Sequence, residues 1–210
     1  APRRSNLMEP TTTDPLFILG GLLFTLVGPV KMMPIFYGMT ATVGPRARNL
    51  LALKAAALGA LGIAIAAAAG TAKIENMGIS REALGTATGL VLAIVGLMPL
   101  IGVDLESAAK SKTPPTAIGL AFPTLLPPYA FGLIILISLY LPAATGAFRI
   151  AVMGCILMAI NAVAMIVAPY ILSRAGVTPL RLLGAVFGII QLAFGIQILF
   201  WGISRGMSVG

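Results

Sequence analysis

The sequence contains few charged residues and lacks several residue types on which protein chemistry depends. Charged residues make up 10% of its 210 positions, whereas about 25% is usual in a soluble domain. There is no histidine, and Cys155 is the single cysteine, so the chain forms no internal disulfide and offers no imidazole to haem or zinc. The residue pattern shows no nucleophile–base pair, metal-ligand set or phosphate loop. We therefore expect a protein that is not an enzyme and that holds no cofactor and no metal ion.

Hydrophobic residues, by contrast, make up 59% of the chain, and its mean hydropathy is +1.03. A spanning helix needs roughly 20 apolar residues, and six segments have about this length. They cover approximately residues 16–40, 49–70, 81–101, 116–141, 148–172 and 178–203. The predicted fold class is an all-α membrane protein with six transmembrane helices. The net charge of +8 comes from basic residues scattered at the segment ends, which is typical of loops facing an anionic leaflet and not of a nucleic-acid surface.

Two of the six segments carry helix-breaking residues at their centres. The first contains Gly28-Pro29, followed by Lys31, and the fourth contains Pro123 and Pro127-Pro128. Proline supplies no N–H to the helix and its ring clashes with the preceding turn, so we predict that the first and fourth helices are broken near mid-membrane. Non-helical backbone at that depth occurs where protein or a wet cavity covers it, as at many transporter substrate sites. The breaks are therefore either a binding site or merely kinks.

A single shift of 99 positions relates the two halves of the chain. It carries glycines of the third segment onto glycines of the sixth, and it carries the first break onto the second. The matched residues are Gly85 with Gly184, Gly89 with Gly188, Gly96 with Gly195, Gly28-Pro29 with Pro127-Pro128, and Thr25 with Thr124. Because each half holds three spans, the second half must be inverted relative to the first. The pattern predicts a 3+3 inverted repeat, an architecture found in many transporters.

Five regions follow from this pattern. A polar N-terminal leader covers residues 1–15, and a C-terminal tail covers residues 205–210. Between them, the first three-helix repeat covers residues 16–101, a connecting loop covers residues 102–115, and the second three-helix repeat covers residues 116–204.

Basic residues at the segment ends predict the orientation of the chain. One side of the membrane collects Arg46, Arg48, Lys54, Lys110, Lys112, Arg174 and Arg181, and the other collects Arg3, Arg4, Lys73, Arg81, Arg149 and Arg205. The first side is richer by one residue, and three of its members cluster around the first loop. By the positive-inside rule, we expect a multi-pass protein of the cell inner membrane with its N-terminus outside.

Lys31 is the strongest candidate for a functional residue, because placing a lysine near the centre of a membrane-spanning helix costs roughly 2.5 to 3.5 kcal/mol of insertion free energy. No carboxylate lies within the apolar stretch of any span, so no buried partner of opposite charge is expected. Either Lys31 holds a substrate carboxylate, or its ammonium satisfies carbonyls freed by the break or reaches the interface. The lack of an intramembrane carboxylate also argues against a proton relay, whereas backbone carbonyls at the breaks can bind sodium.

The candidate substrate-binding residues lie at or beside the two breaks and on the fifth segment. They are Thr25, Gly28, Pro29, Lys31, Thr124, Pro127, Pro128, Tyr129 and Asn161. The equivalent repeat positions of Thr25 and Thr124 suggest that these two face each other. The alternative is that their hydroxyls bond back to carbonyls of their own helices. Gln191 and Gln197 receive no ligand role, one being interpreted as a helix–helix contact and the other as facing the headgroups.

The run from Gly28 to Phe36, Gly-Pro-Val-Lys-Met-Met-Pro-Ile-Phe, resembles the signature of the MarC family, in which Asn-Pro is followed by Pro-Ile-Phe. Gly78-Ile79-Ser80 before the third segment, and the closing stretch from Phe187 to Ile203, are also similar to that family. The resemblance covers about residues 16–204. It implies a six-helix membrane fold related to small neutral amino-acid transporters.

The chain departs from the family pattern at the positions where function is expected. Gly28 replaces the asparagine, Lys31 replaces a small or apolar residue, and Pro127-Pro128-Tyr129 aligns with Gly-Pro-Gly. An asparagine at a break can hydrogen-bond a polar ligand, and glycines let backbone approach one. These departures lie on the motif itself, so they bear on activity more than on fold.

Two functions are therefore open. The resemblance implies a transporter of small neutral solutes, such as amino acids, working by alternating access. The departures suggest instead a transport-inactive structural or accessory subunit of a larger membrane complex. The expected partners are membrane lipids and, beyond these, either small neutral amino acids, other integral membrane subunits or further copies of this chain in a homo-oligomer. We expect no nucleic acid among them.

Overall fold

The computed structural model describes residues 15–73, 78–101, 115–139, 141, 145–176 and 178–209. Every regular element within those ranges is helical. Five helices are long and apolar enough to cross a membrane, and a bent helix pair makes a sixth span if it is counted as one. The predicted all-α, multi-pass fold is confirmed at this level. The predicted leader up to residue 14 and the predicted connecting loop up to residue 114 lie outside the described residues.

Eight helices, named α1 to α8 in chain order, build the described part of the chain. They are α1 Pro15–Val27, α2 Pro29–Met39, α3 Pro45–Lys73, α4 Arg81–Leu97, α5 Ala117–Leu125, α6 Pro128–Ser138, α7 Gly146–Ala175 and α8 Thr178–Val209, and α4 is extended by a short 3-10 turn, Met98–Ile101. The helices α3, α7 and α8 extend beyond the apolar segments that define them in the sequence. Hydrogen bonding within a helix does not stop where the hydropathy falls, so α8 includes residues that sequence analysis assigned to the C-terminal tail.

The first span contains an interruption between α1 and α2, at Gly28. Gly28 has extended backbone, with φ −67° and ψ 162°, and Pro29 occupies the first position of α2. The proline ring disfavours helical backbone in the residue before it, which accounts for this conformation. A Cβ on Gly28 would overlap the carbonyl oxygen of Phe24, so the residue at this first interruption has no room for a side chain.

A second interruption lies between α5 and α6, at Leu126 and Pro127. From Leu120 to Leu125, α5 is a wide turn kinked at Phe122, whose backbone is non-helical (φ −132°, ψ 126°), and the Leu126 N–H donates to the Ala121 carbonyl oxygen at 2.9 Å. Pro127 then has extended backbone, with φ −69° and ψ 155°, and Pro128 is the first residue of α6. The axes of α5 and α6 differ by 63°.

The helices α4 and α8 pack against each other along a seam of glycines. A Cβ on Gly89 would lie 2.7 Å from the Gly195 carbonyl oxygen, and one on Gly96 would lie 2.6 Å from the Leu192 backbone nitrogen. Residue numbers rise along α4 as they fall along α8, so the two helices run antiparallel. Small residues permit this close approach between helices in lipid, where packing replaces the hydrophobic driving force.

The buried core lies chiefly among α1, α2, α3, α6 and α7. Its largest fully buried side chains include Leu23, Met32, Phe36, Ile63, Leu133, Ile134 and Ile150. Large apolar side chains also point away from this core on the long helices, for example Leu61, Ile65, Val163 and Phe200. An apolar exterior of this kind suits a surface in contact with lipid chains.

Candidate functional site

Lys31 is the centre of the candidate site, and its partner comes from the other end of the chain. It is the third residue of α2, and its Nζ donates a hydrogen bond of 2.6 Å to Oε1 of Gln191 on α8. Gln191 is buried, and its Nε2 in turn donates to the Leu92 carbonyl oxygen of α4 at 3.4 Å. The side chains of Lys31 and Gln191 thus connect three helices in one chain of hydrogen bonds.

The Lys31 ammonium meets a neutral amide and not a carboxylate. Within the described residues the only acidic residue is Glu82, in the first turn of α4. Glu82 lies ten positions from Leu92, which is about 15 Å along a helix at 1.5 Å per residue. An ammonium has three N–H donors, so the bond to Gln191 leaves two of them available to another acceptor.

Asn161 lies in the middle of α7 and is completely buried. Its Nδ2 donates to the Leu157 carbonyl oxygen at 3.1 Å, one turn back in the same helix. Its Oδ1 has no hydrogen-bond partner in the described part of the chain. A buried acceptor left unpaired costs about 1 to 3 kcal/mol, and this cost makes the Asn161 oxygen a candidate ligand group.

The two threonines of the candidate set are hydrogen-bonded within their own helices. Thr25 Oγ1 donates to the Gly21 carbonyl oxygen at 2.8 Å, and Thr124 Oγ1 donates to the Gly119 carbonyl oxygen at 3.1 Å. The Thr124 bond spans five residues, across the kink at Phe122. Both hydroxyl protons are therefore engaged within their own helices.

The remaining predicted residues lie at the two interruptions themselves. Gly28 and Pro127 are buried, Pro29 is half-buried, and Pro128 is exposed. Tyr129, also half-buried, packs against the apolar core. These residues shape the backbone at each interruption.

Gln191 is a site residue to which sequence analysis assigned no ligand. The sequence does indicate which way the Gln191 side chain points, because Gly188 lies three positions before it and Gly195 lies four positions after it. Residues at these spacings share one face of a helix, and both glycines contact α4. A glutamine on this face must therefore point into the protein, whereas Gln197 is exposed.

The described residues offer no group of three or more Cys, Asp or Glu side chains placed to hold a metal ion. What the geometry brings together is a cationic donor, Lys31, held by an amide. Asn161, on α7, is a separate buried acceptor without a hydrogen-bond partner in the described part of the chain. Both kinds of group are suited to hydrogen-bonding a small polar molecule.

A family model described as "MarC family integral membrane protein" matches residues 15–207 of the chain. No curated protein and no solved structure matches it.

Proposed function

The chain belongs to the MarC family of integral membrane proteins, and we propose that it transports small neutral solutes, such as amino acids, by alternating access. The proposal places it in the cell inner membrane with its N-terminus outside. The two interrupted spans are its moving and binding elements, and the two halves of the chain form an inverted repeat.

The observation that carries this proposal is the match between α2 and α6. Each helix has 11 residues, each begins with a proline, and each is preceded by a residue with extended backbone. Their first residues, Pro29 and Pro128, are 99 positions apart. Because the local conformation repeats with the same shift as the sequence, the two interruptions are counterparts in two related halves.

Contacts between α4 and α8 support the same relation. Gly89 packs against Gly195, and Gly96 packs against the carbonyl oxygen of Gly188. The shift of 99 positions exchanges these two contacts, as a twofold axis between the helices would. Leu92 and Gln191 are themselves 99 positions apart and are hydrogen-bonded to each other, so the proposed axis passes between them.

In this arrangement, alternating access consists of one three-helix half moving against the other about the proposed axis. A half-helix that begins inside the membrane directs the positive end of its dipole toward the site. The N-terminus of α2 therefore favours the anionic group of a solute, and Lys31 in its first turn adds a full positive charge. Gln191 holds that charge in place from the opposite half.

Uptake of labelled glycine and alanine into proteoliposomes tests the proposal. We expect uptake above that of empty liposomes, and loss of uptake in Lys31→Met and in Pro128→Ala, since the first removes the charge and the second relaxes the start of α6. No uptake across a panel of neutral amino acids, by protein that is folded and correctly inserted, would overturn it.

A second candidate function is a structural subunit of a larger membrane assembly that no longer transports. It is favoured by the internal engagement of Lys31, Thr25 and Thr124, whose polar groups already bond within the chain. Gentle purification from the source membrane tests it through the mass and composition of the particle. Co-purification with other integral membrane subunits at fixed stoichiometry supports this function, and recovery as a lone monomer or homodimer excludes it.

A further inference from the structure

We infer that α4 and α8 stay packed together as a fixed frame while the first span moves against them, and that the hydrogen bond from Lys31 to Gln191 is the latch of this movement. The word frame denotes α4 with α8, and the word latch denotes this one hydrogen bond. The inference rests on the proposed alternating access and names a contact that such a movement must break.

Backbone atoms of α4 and α8 meet along much of the length that the two helices share. A Cβ on Gly195 would lie 2.8 Å from Ala93 Cα, and one on Gly202 would lie 2.6 Å from the Thr86 backbone nitrogen. Together with the contact of Gly96, these contacts extend over ten residues, or about 15 Å, of α4. Backbone atoms cannot turn aside, so sliding or separating the helices would force an overlap or leave a gap. We therefore expect the frame to keep its packing.

Side chains, by contrast, make the contacts between the frame and the helices beside it. Phe24 of α1 meets Phe187 of α8 edge to face, with ring centroids 6.1 Å apart, and Phe24 is 37% exposed. On α6, a Cβ on Gly132 would lie 3.0 Å from Oγ1 of Thr88, which belongs to α4. Side chains change rotamer without a change of backbone. The boundary of the frame can therefore shift where the glycine seam cannot.

The latch joins a flexible donor to an acceptor that the frame holds in place. Gln191 Nε2 donates to the Leu92 carbonyl oxygen at 3.4 Å, so both ends of this second bond belong to the frame. Lys31 reaches the Gln191 amide through a flexible four-carbon stem, and its Nζ lies 2.6 Å from Oε1. Breaking the latch thus frees α2 and leaves the hydrogen bond inside the frame intact.

The position of Lys31 in the first span suits this role. Gly28, three residues before it, has extended backbone and separates α1 from α2. Hinges are commonly a few residues at the ends of regular elements, where changes of backbone angle are absorbed. The Lys31 and Met32 N–H groups donate to the Gly28 carbonyl oxygen at 3.2 and 3.4 Å, which is longer than the usual 2.9 to 3.0 Å. The latch therefore holds α2 directly after a point where the span can bend.

The chemistry of the latch allows it to decide between two arrangements of the first span. Hydrogen bonds from a charged donor are stronger than those between neutral groups. Among the described residues the one acidic side chain, Glu82, is in the first turn of α4 and offers Lys31 no alternative close to Gln191. Removing an interaction that favours one arrangement shifts the population toward the other. Loss of either partner should therefore release the first span from the frame.

Distances between spin labels, measured on the full-length protein in lipid nanodiscs, test both parts of the inference. In a Cys155→Ala background, one pair joins Leu90→Cys on α4 to Ile196→Cys on α8, and a second joins Gly38→Cys on α2 to the same Ile196→Cys. Leu90 and Ile196 are exposed, and a Cβ on Gly38 has no neighbour within 4 Å, so these positions accept a label. We expect the α4–α8 pair to give one narrow distance distribution in every variant.

Variants of the latch supply the decisive comparison. Lys31→Met keeps the length of the side chain and removes its donors, and Gln191→Leu removes the acceptor. In each variant we expect the α2–α8 pair to gain a second distance, populated at least tenfold more than in the parent protein. Gln197→Leu, on the exposed side of α8, is the matched control and should leave both distributions unchanged. An unchanged α2–α8 distribution in both latch variants, or a changed α4–α8 distribution, would overturn the inference.

Reversible cross-linking separates this inference from the transport function. In the Cys155→Ala background, a short bis-methanethiosulfonate reagent joins Phe24→Cys to Phe187→Cys and so fixes the first span to the frame. Loss of alanine uptake on cross-linking, restored by reduction, supports the inference, whereas uptake that continues in the cross-linked protein overturns it. A second distance in the latch variants, without any uptake by the parent protein, supports the latch and overturns the transport function.

Discussion

Lys31 and Gln191 are joined by a hydrogen bond of 2.6 Å between Nζ and Oε1, although 160 positions separate them in the sequence. Gln191 also donates to the Leu92 carbonyl oxygen, so an interrupted span near the N-terminus is tied to both helices of the glycine seam. These hydrogen bonds lie in a part of the molecule where most contacts are apolar. The first two predictions therefore concern Lys31 and Gln191.

Replacing Gln191 with leucine should destabilise the protein by leaving the Lys31 ammonium without its amide partner. A hydrogen bond to a charged group contributes about 1.5 to 3 kcal/mol, and we expect the free energy of unfolding to fall by about this amount. Thermal unfolding in detergent measures the change. Gln197→Leu, on the exposed side of the same helix, is the control and should have little effect.

The double variant Lys31→Ala with Gln191→Leu tests whether the two residues act as a pair. Both substitutions introduce the residues of the counterpart positions, Ala130 and Leu92, so the pair becomes apolar like its counterpart. We expect the double variant to lose less free energy of unfolding than the sum of the two single losses. Removing one partner leaves the other buried without a hydrogen bond, whereas removing both leaves neither unpaired. Strict additivity in the unfolding free energies would contradict a direct interaction.

Gly96→Ala should weaken the packing of α4 against α8. The added methyl group would lie 2.6 Å from the Leu192 backbone nitrogen and 3.0 Å from the Gly188 carbonyl oxygen, and backbone atoms cannot turn aside as a side chain can. Overpacking of this kind costs about 1 to 3 kcal/mol. Gly184→Ala on α8 has no neighbour within 4 Å, so it should be neutral or stabilising, and equal melting temperatures for the two variants would contradict the seam.

Gly28→Ala should disturb the first interruption, because its Cβ would overlap the Phe24 carbonyl oxygen. The chain must then shift where α1 meets α2, and we expect a loss of about 2 kcal/mol or more in the free energy of unfolding. Gly21→Ala, in the same span but with no neighbour within 4 Å, is the matched control. A Gly28→Ala protein as stable as the Gly21→Ala protein would show that the interruption tolerates a side chain.

Cysteine labelling tests the proposed orientation. In a Cys155→Ala background, a membrane-impermeant maleimide added to intact cells should label Ile79→Cys, between α3 and α4, and should not label Thr42→Cys, between α2 and α3. The reverse pattern would place the N-terminus inside. Labelling of both positions would contradict the crossing of the membrane by α3.

Much of the fold follows from local features of the sequence. The long apolar runs predict the spanning helices, because length and hydropathy are properties of each segment alone. Residues at the interruptions were also identifiable, since Pro29 and Pro128 act on the backbone directly before them. The hydrogen bond from the Leu126 N–H to the Ala121 carbonyl oxygen, which closes a wide turn around the kink at Phe122, was not foreseen, because it depends on how the chain accommodates the proline-containing segment within its packed surroundings.

The candidate site was less accessible to sequence analysis, because its chemistry depends on which helix faces meet. Sequence analysis identified Lys31 as a charge without a carboxylate partner and Asn161 as a polar residue inside a span, and it predicted a 99-residue repeat, which stays a prediction. Only the tertiary structure decided that Gln191 holds Lys31, that Thr25 and Thr124 bond back to their own helices, and that the Asn161 oxygen is unpaired. The physical reason is that backbone conformation responds to neighbouring residues in the chain, whereas a buried side chain takes its partner from the helix packed against it, which for Lys31 lies 160 positions away in the sequence.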